Sequence, residues 1–227
     1  MIDDNPWISS VKNTVTVTKK ALTNLSIRVR SHQYRLFIKL LKPKSANKIL
    51  DVGVTSDETL KDSNLFERLY PHPENLTAAT IETPSRIKKL YPKIRAVKIF
   101  PGKKLPFDNK QFDVVTSWAT LEHVGGKEDQ RFFIKELLRV GKKIFLTTPY
   151  KYCFYEPHSE VFFLHWLPDK LFRRILRSLG KTFWAKETNL RPLGIRDLKA
   201  IIGDNDVKIK LYCSFPLLPT HLIIYKI

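Results

Sequence analysis

Short apolar runs recur between helix-like stretches along the middle of this chain, and that alternation limits the fold more than any single motif. Lys48-Ile49-Leu50-Asp51-Val52-Gly53, residues 76–81, residues 94–100, Phe112-Asp113-Val114-Val115-Thr116-Ser117 and Lys143-Ile144-Phe145-Leu146-Thr147-Thr148 each read as a strand. Their apolar residues are continuous rather than alternating, the pattern of strands covered on both faces. Residues 84–91 and 131–140 read as helices between them, and Asp57 and Glu58 suit the first turn of another, capped by Thr55 or Ser56. Further on, residues 167–179 and 194–202 read as helices, and residues 207–215 and 221–227 as two strands close enough to pair as an antiparallel hairpin. The expectation is an α/β protein whose mainly parallel sheet carries helices on both faces.

Before the first strand, Tyr34-Arg35-Leu36-Phe37-Ile38-Lys39-Leu40-Leu41 has apolar residues at helical spacing until Pro43 interrupts it. Residues 1–44 are therefore expected to be a basic helical segment packed on a domain of residues 45–227. Such a helix can alternatively lie on an anionic membrane.

The chain is strongly basic: 40 Lys+Arg against 22 Asp+Glu give +18 and a pI near 9.9. That balance favours polyanionic surroundings, namely RNA, an anionic membrane surface or phosphorylated substrates, or else a generally solvated basic surface. No zinc-finger spacing and no aromatic-interleaved single-strand motif accompanies the basic clusters. Cys153 and Cys213 are too few for a disulfide framework. The opening Ile2-Asp3-Asp4-Asn5-Pro6 lacks the order of a secretory leader, and no apolar run nears the roughly 20 residues of a membrane span. The expected location is cytoplasmic, at most peripheral to a membrane.

Several motifs in order resemble those of class I S-adenosylmethionine-dependent methyltransferases of the type 11 branch. They are Ile49-Leu50-Asp51-Val52-Gly53, Leu105-Pro106-Phe107 ahead of the fourth strand, Leu121-Glu122-His123-Val124 after it, and Leu137-Leu138-Arg139-Val140 leading to Phe145-Leu146-Thr147-Thr148-Pro149. The resemblance implies a Rossmann-like, seven-stranded sheet with a C-terminal antiparallel hairpin, and S-adenosylmethionine as cofactor. It makes Gly53 the glycine of close approach and Glu82 the acid that accepts hydrogen bonds from the ribose hydroxyls. Asp51 would orient the loop or the cofactor's amino group, Ser117 and Trp118 would end the fourth strand beside the cofactor, and Gly102 would flank the adenine.

The chain departs from the family's Asp-x-Gly-x-Gly-x-Gly loop, reading Asp51-Val52-Gly53-Val54-Thr55-Ser56-Asp57. If Thr55 holds a positive-φ position it is strained there, and Asp57 brings negative charge to the cofactor's carboxylate. Glu82 also follows Asp51 at a greater interval than the about 20 residues of dinucleotide-binding folds, which a long loop over residues 63–75 would explain.

Methyl transfer to a hydroxyl needs alignment and removal of one proton. Residues 150–190 form an insert after the fifth strand, expected to be a lid on the acceptor side. Its first part gathers Tyr152, Tyr155, Glu156, His158, Glu160, His165 and Trp166. His158 is the preferred general base because imidazole titrates near neutrality, with Glu156 as its partner. Tyr152, Tyr155, His165 and Trp166 are the expected acceptor contacts, unless the histidines only make hydrogen bonds within the lid. His123 more plausibly shapes the cofactor loop. Arg173, Arg174 and Arg177 read equally as a solvated helix face or a phosphate contact. No metal is expected, because His158, Glu160 and His165 do not have the His-Glu-x-x-His spacing and no cysteine cluster supports them.

Three functions follow. The first is methyl transfer to a small-molecule, glycan or lipid-linked acceptor. The second is an RNA methyltransferase, favoured by the charge; against it, Ser117-Trp118-Ala119-Thr120 stands where an Asn/Asp-Pro-Pro-aromatic tetrad would be. The third is a non-catalytic scaffold that kept the fold, favoured by the altered glycine loop.

Overall fold

The computed structural model describes residues 17–59, 61–215 and 218–227. The first 16 residues of the 1–44 segment, with the leader reading made on them, lie outside the described residues, as do Leu60, Pro216 and Leu217. The helices are α1 (Val17–Leu41), α2 (Leu65–Leu69), α3 (Pro84–Leu90), α4 (Lys127–Val140), α5 (Asp169–Ser178) and α6 (Ile195–Ile202). The strands are β1 (Ile49–Val52), β2 (Leu76–Thr80), β3 (Arg95–Lys98), β4 (Phe112–Trp118), β5 (Gly141–Pro149), β6 (Tyr155–Glu156), β7 (Val161–Phe162), β8 (Lys208–Phe215) and β9 (Leu218–Lys226).

Seven strands form one sheet in the order β3-β2-β1-β4-β5-β9-β8. The first five run parallel, whereas β9 lies antiparallel between β5 and β8. This is the expected sheet with its C-terminal hairpin. The order reverses between β1 and β4, so a crevice opens at their carboxyl ends, where open α/β sheets take ligands. Strand β1 is buried along its whole length, and its side chains alternate between two cores. Leu50 and Val52 join the layer beneath α4 and α6, while Ile49 joins the layer beneath α1, α2 and α3. A third, smaller core of Val161, Phe172, Leu176, Trp184, Ala185 and Leu190 lies within the 150–190 insert.

Helix α1 exists because one stripe of it is covered. Val29, Gln33, Phe37 and Leu41, four residues apart, are all buried. The helix stops where Lys42 takes a left-handed conformation (φ 45°), its N–H still bonded to Ile38 O, and Pro43 follows. Phe37 is fully buried and meets Phe66, Trp118 and Phe145 at ring-centroid distances of 5.4, 6.1 and 5.5 Å. Among the described residues no helix is long and apolar enough to cross a membrane.

One expectation fails. Asp57 and Glu58 do not open a helix; residues 53–59 and 61–64 are irregular, and the helix that follows them is the short α2, starting at Leu65. The reason is local. Asn64 bonds Thr55 through both ends of its amide, accepting from Thr55 N (3.3 Å) and donating to Thr55 O (2.7 Å). That holds the loop in an irregular path until Asn64 itself turns left-handed, at φ 50°.

Because Phe37 ties α1 to the sheet and to α2 at once, Phe37→Ala is expected to cost about 3–5 kcal/mol in urea unfolding. A cost under about 1 kcal/mol would show that α1 does not depend on this contact.

Candidate active site

At the reversal of strand order lies a cavity of about 150 Å³ lined by Arg30, Tyr34, Asp51, Gly53, Thr55, Phe66, Glu67 and Trp118, among others. Gly53 is required here twice over. Its φ is +105°, and a Cβ would run into the side chain of Thr120. The loop is not otherwise strained: Thr55 and Asp57 keep negative φ, so the strain expected at Thr55 is absent. The non-glycine residues at positive φ in the cavity wall are instead Asn64 (φ 50°) and Ala119 (φ 52°), the latter directly after β4.

Asp51 is buried, accepts a 2.7 Å bond from Thr116 Oγ1 and shares a hydrogen bond with the buried Glu67 of α2. Burial raises Asp51, while burial and the Asp51 charge together push Glu67 well above the usual carboxyl range. Glu67 therefore carries the proton of this pair. Glu67 Oε1 and Trp118 Nε1, both buried, have no hydrogen-bond partner among the described residues. Two such orphaned polar atoms in one cavity wall suit a polar ligand. Arg30 reaches the same wall and pairs with Asp62 at 3.2 Å.

Glu82 follows β2 at the mouth of this crevice, and its carboxylate is engaged. It accepts from Thr55 Oγ1 (2.7 Å), from Ser56 N (2.8 Å) and from the Ser56 hydroxyl. Thr55, standing where the family has glycine, and its neighbour Ser56 thus supply two hydroxyl donors to the acid expected to bind ribose hydroxyls. Ser117 is buried and donates to Val52 O (2.8 Å), so it pins β4 to β1. Gly102 sits in an exposed turn at φ +67°, outside the cavity wall.

A second cluster forms where the 150–190 insert meets the turn Leu121–His123 after β4. His123 Nε2 and His158 Nε2 are 3.0 Å apart, His158 Nδ1 lies 2.8 Å from Glu156 Oε1, and His123 Nδ1 lies 2.8 Å from Asn189 O. A carbonyl can only accept, so His123 Nδ1 bears hydrogen, and one of the two facing Nε2 atoms must carry the hydrogen between them. The surrounding charges put that hydrogen on His158, which then donates to both His123 and Glu156 as an imidazolium. Burial, then the nearby His158 charge, pushes His123 down to about 3. Burial opposes protonation of His158, but the Glu156 charge and hydrogen bond outweigh it and raise its pKa. Burial likewise opposes ionisation of Glu156, yet His158 and bonds from Ser159 bring it down to about 2.

His158 and Glu156 are thus together as expected, but Glu156 is enclosed, its oxygens taken by His158 and Ser159. The surprise is His123, which joins His158 rather than the cofactor loop. Its position just after a strand end was visible in the sequence; its contact across 35 residues was not. His165 is buried, with Nε2 near Cys153 O (2.8 Å), so it does not face an open acceptor surface. Tyr152 and Trp166 are exposed by 46 and 44 % and lie edge to face at 6.4 Å. Tyr155 packs against Phe162 at 4.9 Å. Glu160 is exposed and at φ 53°, so His158, Glu160 and His165 do not form one cluster. Arg173 is buried against Asp169 and Leu190 O and is structural, whereas Arg174 and Arg177 are exposed.

The sheet order and its C-terminal hairpin give the chain a Rossmann-like fold, similar to that of solved S-adenosylmethionine-dependent methyltransferases. Residues 50–144 match the family model described as "Methyltransferase domain", of type 11. No curated protein matches the chain in sequence. Among solved structures, it is similar to the magnesium protoporphyrin IX methyltransferase of Synechocystis, which holds bound S-adenosylhomocysteine: TM-score 0.55, 13 % identity, 97 % of this chain and 93 % of that one. A Methanosarcina mazei S-adenosylmethionine-dependent methyltransferase gives 0.52 and 14 %, over 81 and 93 %. A Haloferax volcanii chain solved in complex with the Trm112 methyltransferase activator gives 0.59 and 9 %, over 99 and 98 %.

The charged pair should be visible in solution. Glu156, lowered to about 2 from 4.5, stabilises the fold above pH 4.5 and ceases to as pH falls toward about 2. His158, raised above 6.5, stabilises it fully below 6.5 and ceases to as pH rises through its folded value. Histidine-ring NMR at pH 5–6.5 is expected to show His158 doubly protonated and His123 neutral with hydrogen on Nδ1. A neutral His158 at pH 5 would refute the assignment.

Proposed function

We propose that this protein is an S-adenosylmethionine-dependent methyltransferase whose acceptor is a hydroxyl-bearing glycan or lipid-linked molecule. The observation that carries the cofactor reading is the cavity at the β1–β4 reversal, walled by Gly53 and by two buried polar atoms without partners among the described residues, on Glu67 and Trp118. When bound, the cofactor supplies an electrophilic methyl group on a sulfonium. Asp51, Glu67 and Arg30 would hold its amino-acid end: the acids beside an ammonium, the guanidinium beside a carboxylate. Glu82 would bind the ribose by exchanging the Thr55 and Ser56 hydroxyls for the two ribose hydroxyls. At about 150 Å³ the cavity is smaller than the about 300–1,000 Å³ of typical small-molecule sites. It fits the amino-acid end, with the rest of the ligand lying toward Glu82.

On the acceptor side, His158, held by Glu156, would act as general base only after its Nε2 hydrogen has left, while His123, lowered to about 3, is too weak a base for that step. The insert would serve as a lid over this pair. Its outer rim favours an acceptor with apolar or sugar faces, because Phe162 (57 % exposed) and Phe163 (53 %) stand with Tyr152 and Trp166.

The scaffold reading has its own observation, the Glu82 carboxylate already satisfied by the loop. Calorimetry with S-adenosylhomocysteine separates the two. Micromolar binding is expected, weakened at least about tenfold, or 1.4 kcal/mol, by Glu82→Ala and by Asp51→Asn. No binding in folded protein would favour the scaffold.

The acceptor reading predicts that the protein sediments with anionic vesicles and that Phe162→Ser with Phe163→Ser lowers the bound fraction several-fold. Vesicle binding unchanged by the double substitution, alongside transfer-RNA binding that falls steeply with salt, would favour the RNA methyltransferase instead.

A further inference from the structure

The turn after β4 and the insert after β5 bring three potential ligand atoms to one point. We propose that Glu122 Oε1, His123 Nε2 and His158 Nε2 bind a divalent first-row transition-metal ion, which takes the place of the hydrogen now shared between the two imidazoles. The site stands on the distances below. Its service to an acceptor rests on the methyltransferase reading.

The ligand atoms all lie within 4.8 Å of one another. The two Nε2 atoms are 3.0 Å apart, and Glu122 Oε1 is 3.8 Å from His123 Nε2. Two metal–nitrogen bonds of about 2.1 Å, meeting between a right angle and the tetrahedral angle, span about 3.0–3.4 Å. The nitrogen pair is therefore already at ligand spacing, and the carboxylate oxygen, 3.8 Å from His123 Nε2, has to close in by a side-chain adjustment.

The atoms on the far side of each ligand are held as well. His123 Nδ1 donates to Asn189 O at 2.8 Å, His158 Nδ1 donates to Glu156 Oε1 at 2.8 Å, and Thr148 Oγ1 donates to Glu122 Oε2 at 2.9 Å. Such outer bonds fix the tautomer that turns Nε2 inward and aim each ligand at the ion. They also explain an oddity. Glu122 is 1 % exposed, its Oε2 is satisfied, and its Oε1 has no hydrogen-bond partner among the described residues. A buried carboxylate oxygen left unpaired is costly. An ion at the convergence point would satisfy it.

One imidazole–carboxylate–imidazole set leaves coordination positions for water or an acceptor oxygen, as in catalytic rather than structural sites. The His123 and His158 side chains are 18 and 23 % exposed, enough to admit an ion. Trp184 closes one side, with ring centroids 6.0 and 5.6 Å from the two imidazoles. Nitrogen and oxygen ligands without thiolate suit Zn²⁺, Co²⁺, Mn²⁺ or Fe²⁺.

The exchange balances. The ion enters, the hydrogen on His158 Nε2 leaves as a proton, and His158 becomes a neutral ligand that keeps its Nδ1 hydrogen on Glu156. Four other charged or titratable groups bear on this step. Glu156 favours the protonated His158 and Arg30 opposes it. Burial raises Glu122, so any proton it holds leaves too. His221 is itself lowered by burial and by the Arg30 and His158 charges.

The test uses the full chain, stripped with a chelator, without cofactor or acceptor, so its outcome is independent of the methyltransferase reading. Co²⁺ titration at pH 7.5 is expected to give the visible absorption of a nitrogen- and oxygen-bound ion at one equivalent. Calorimetry at pH 6, below the raised value of His158, in two buffers of different ionisation enthalpy should show about one proton released per ion. His158→Gln and Glu122→Gln should weaken binding at least about 100-fold, and Thr148→Val, an outer-shell change, about tenfold. His72→Ala, a distant surface histidine, should leave it unchanged. If either ligand variant fails to fold, the Thr148→Val shift and the proton count on the unaltered chain still decide. No uptake of Co²⁺, Zn²⁺ or Mn²⁺, uptake without proton release, or uptake that His158→Gln and Thr148→Val leave intact would overturn the proposal.

Discussion

Four aromatic rings at the centre of one sheet face hold the walls of the β1–β4 cavity together. Phe37 of α1 stands edge-on to Phe66 of α2 (89°) and to Phe145 of β5 (73°), while Trp118 at the end of β4 stacks on Phe66 (26°). Edge-to-face and offset contacts of this kind add specific geometry to plain burial. Their consequence is positional. Arg30 and Tyr34 reach the cavity because Phe37 seats α1 on the sheet, and Glu67 reaches Asp51 because Phe66, its neighbour, seats α2. A helix of only five residues has little stability of its own. The wall of the cavity is thus a product of packing on the far side of the same rings.

The motif residues show a parallel economy on the other face. Arg139 donates to Phe107 O (2.7 Å) and Leu105 O (3.0 Å), while Glu136 accepts from Leu105 N (2.8 Å) and binds Arg139. Leu105-Pro106-Phe107 and Leu137-Leu138-Arg139-Val140 are therefore one structure: α4 clamps the loop that leads into β4. Gly141 follows because a Cβ there would press on Val115. These residues serve the fold, and only Asp51, Gly53 and the turn after β4 serve the site directly.

How much of this the sequence reveals depends on how local the cause is. Continuous apolar runs such as Phe112–Trp118 and Gly141–Pro149 announce buried parallel strands, because burial on both faces removes the alternation of a half-exposed strand. Residues 57–58 mislead, because acids after a strand resemble a helix start, while the deciding contact is the Asn64 amide on Thr55, nine residues away. The site is less legible still. His158 with Glu156 is a contact over two residues and can be anticipated; His123 with His158 and Glu122 with Thr148 span 35 and 26 residues across different strand ends. No periodicity encodes which strand-end loops meet. Glu67 carried no pattern of its own and emerges only once α2 is folded onto Asp51.

A chain of net charge +18 nonetheless buries Asp51, Glu67, Glu122 and Glu156 around its crevice. The surface lysines do not decide the state of these acids, since exposed charges fade over about 8 Å at physiological salt. Each acid answers to what touches it. Glu156 meets an imidazolium and ionises, whereas Glu67 meets another carboxyl and keeps its proton. Glu122 lies between these cases, raised by burial despite the nearby His158 charge. The Arg30 charge lowers both Asp51 and Glu122, but in each case burial is the larger influence and outweighs it.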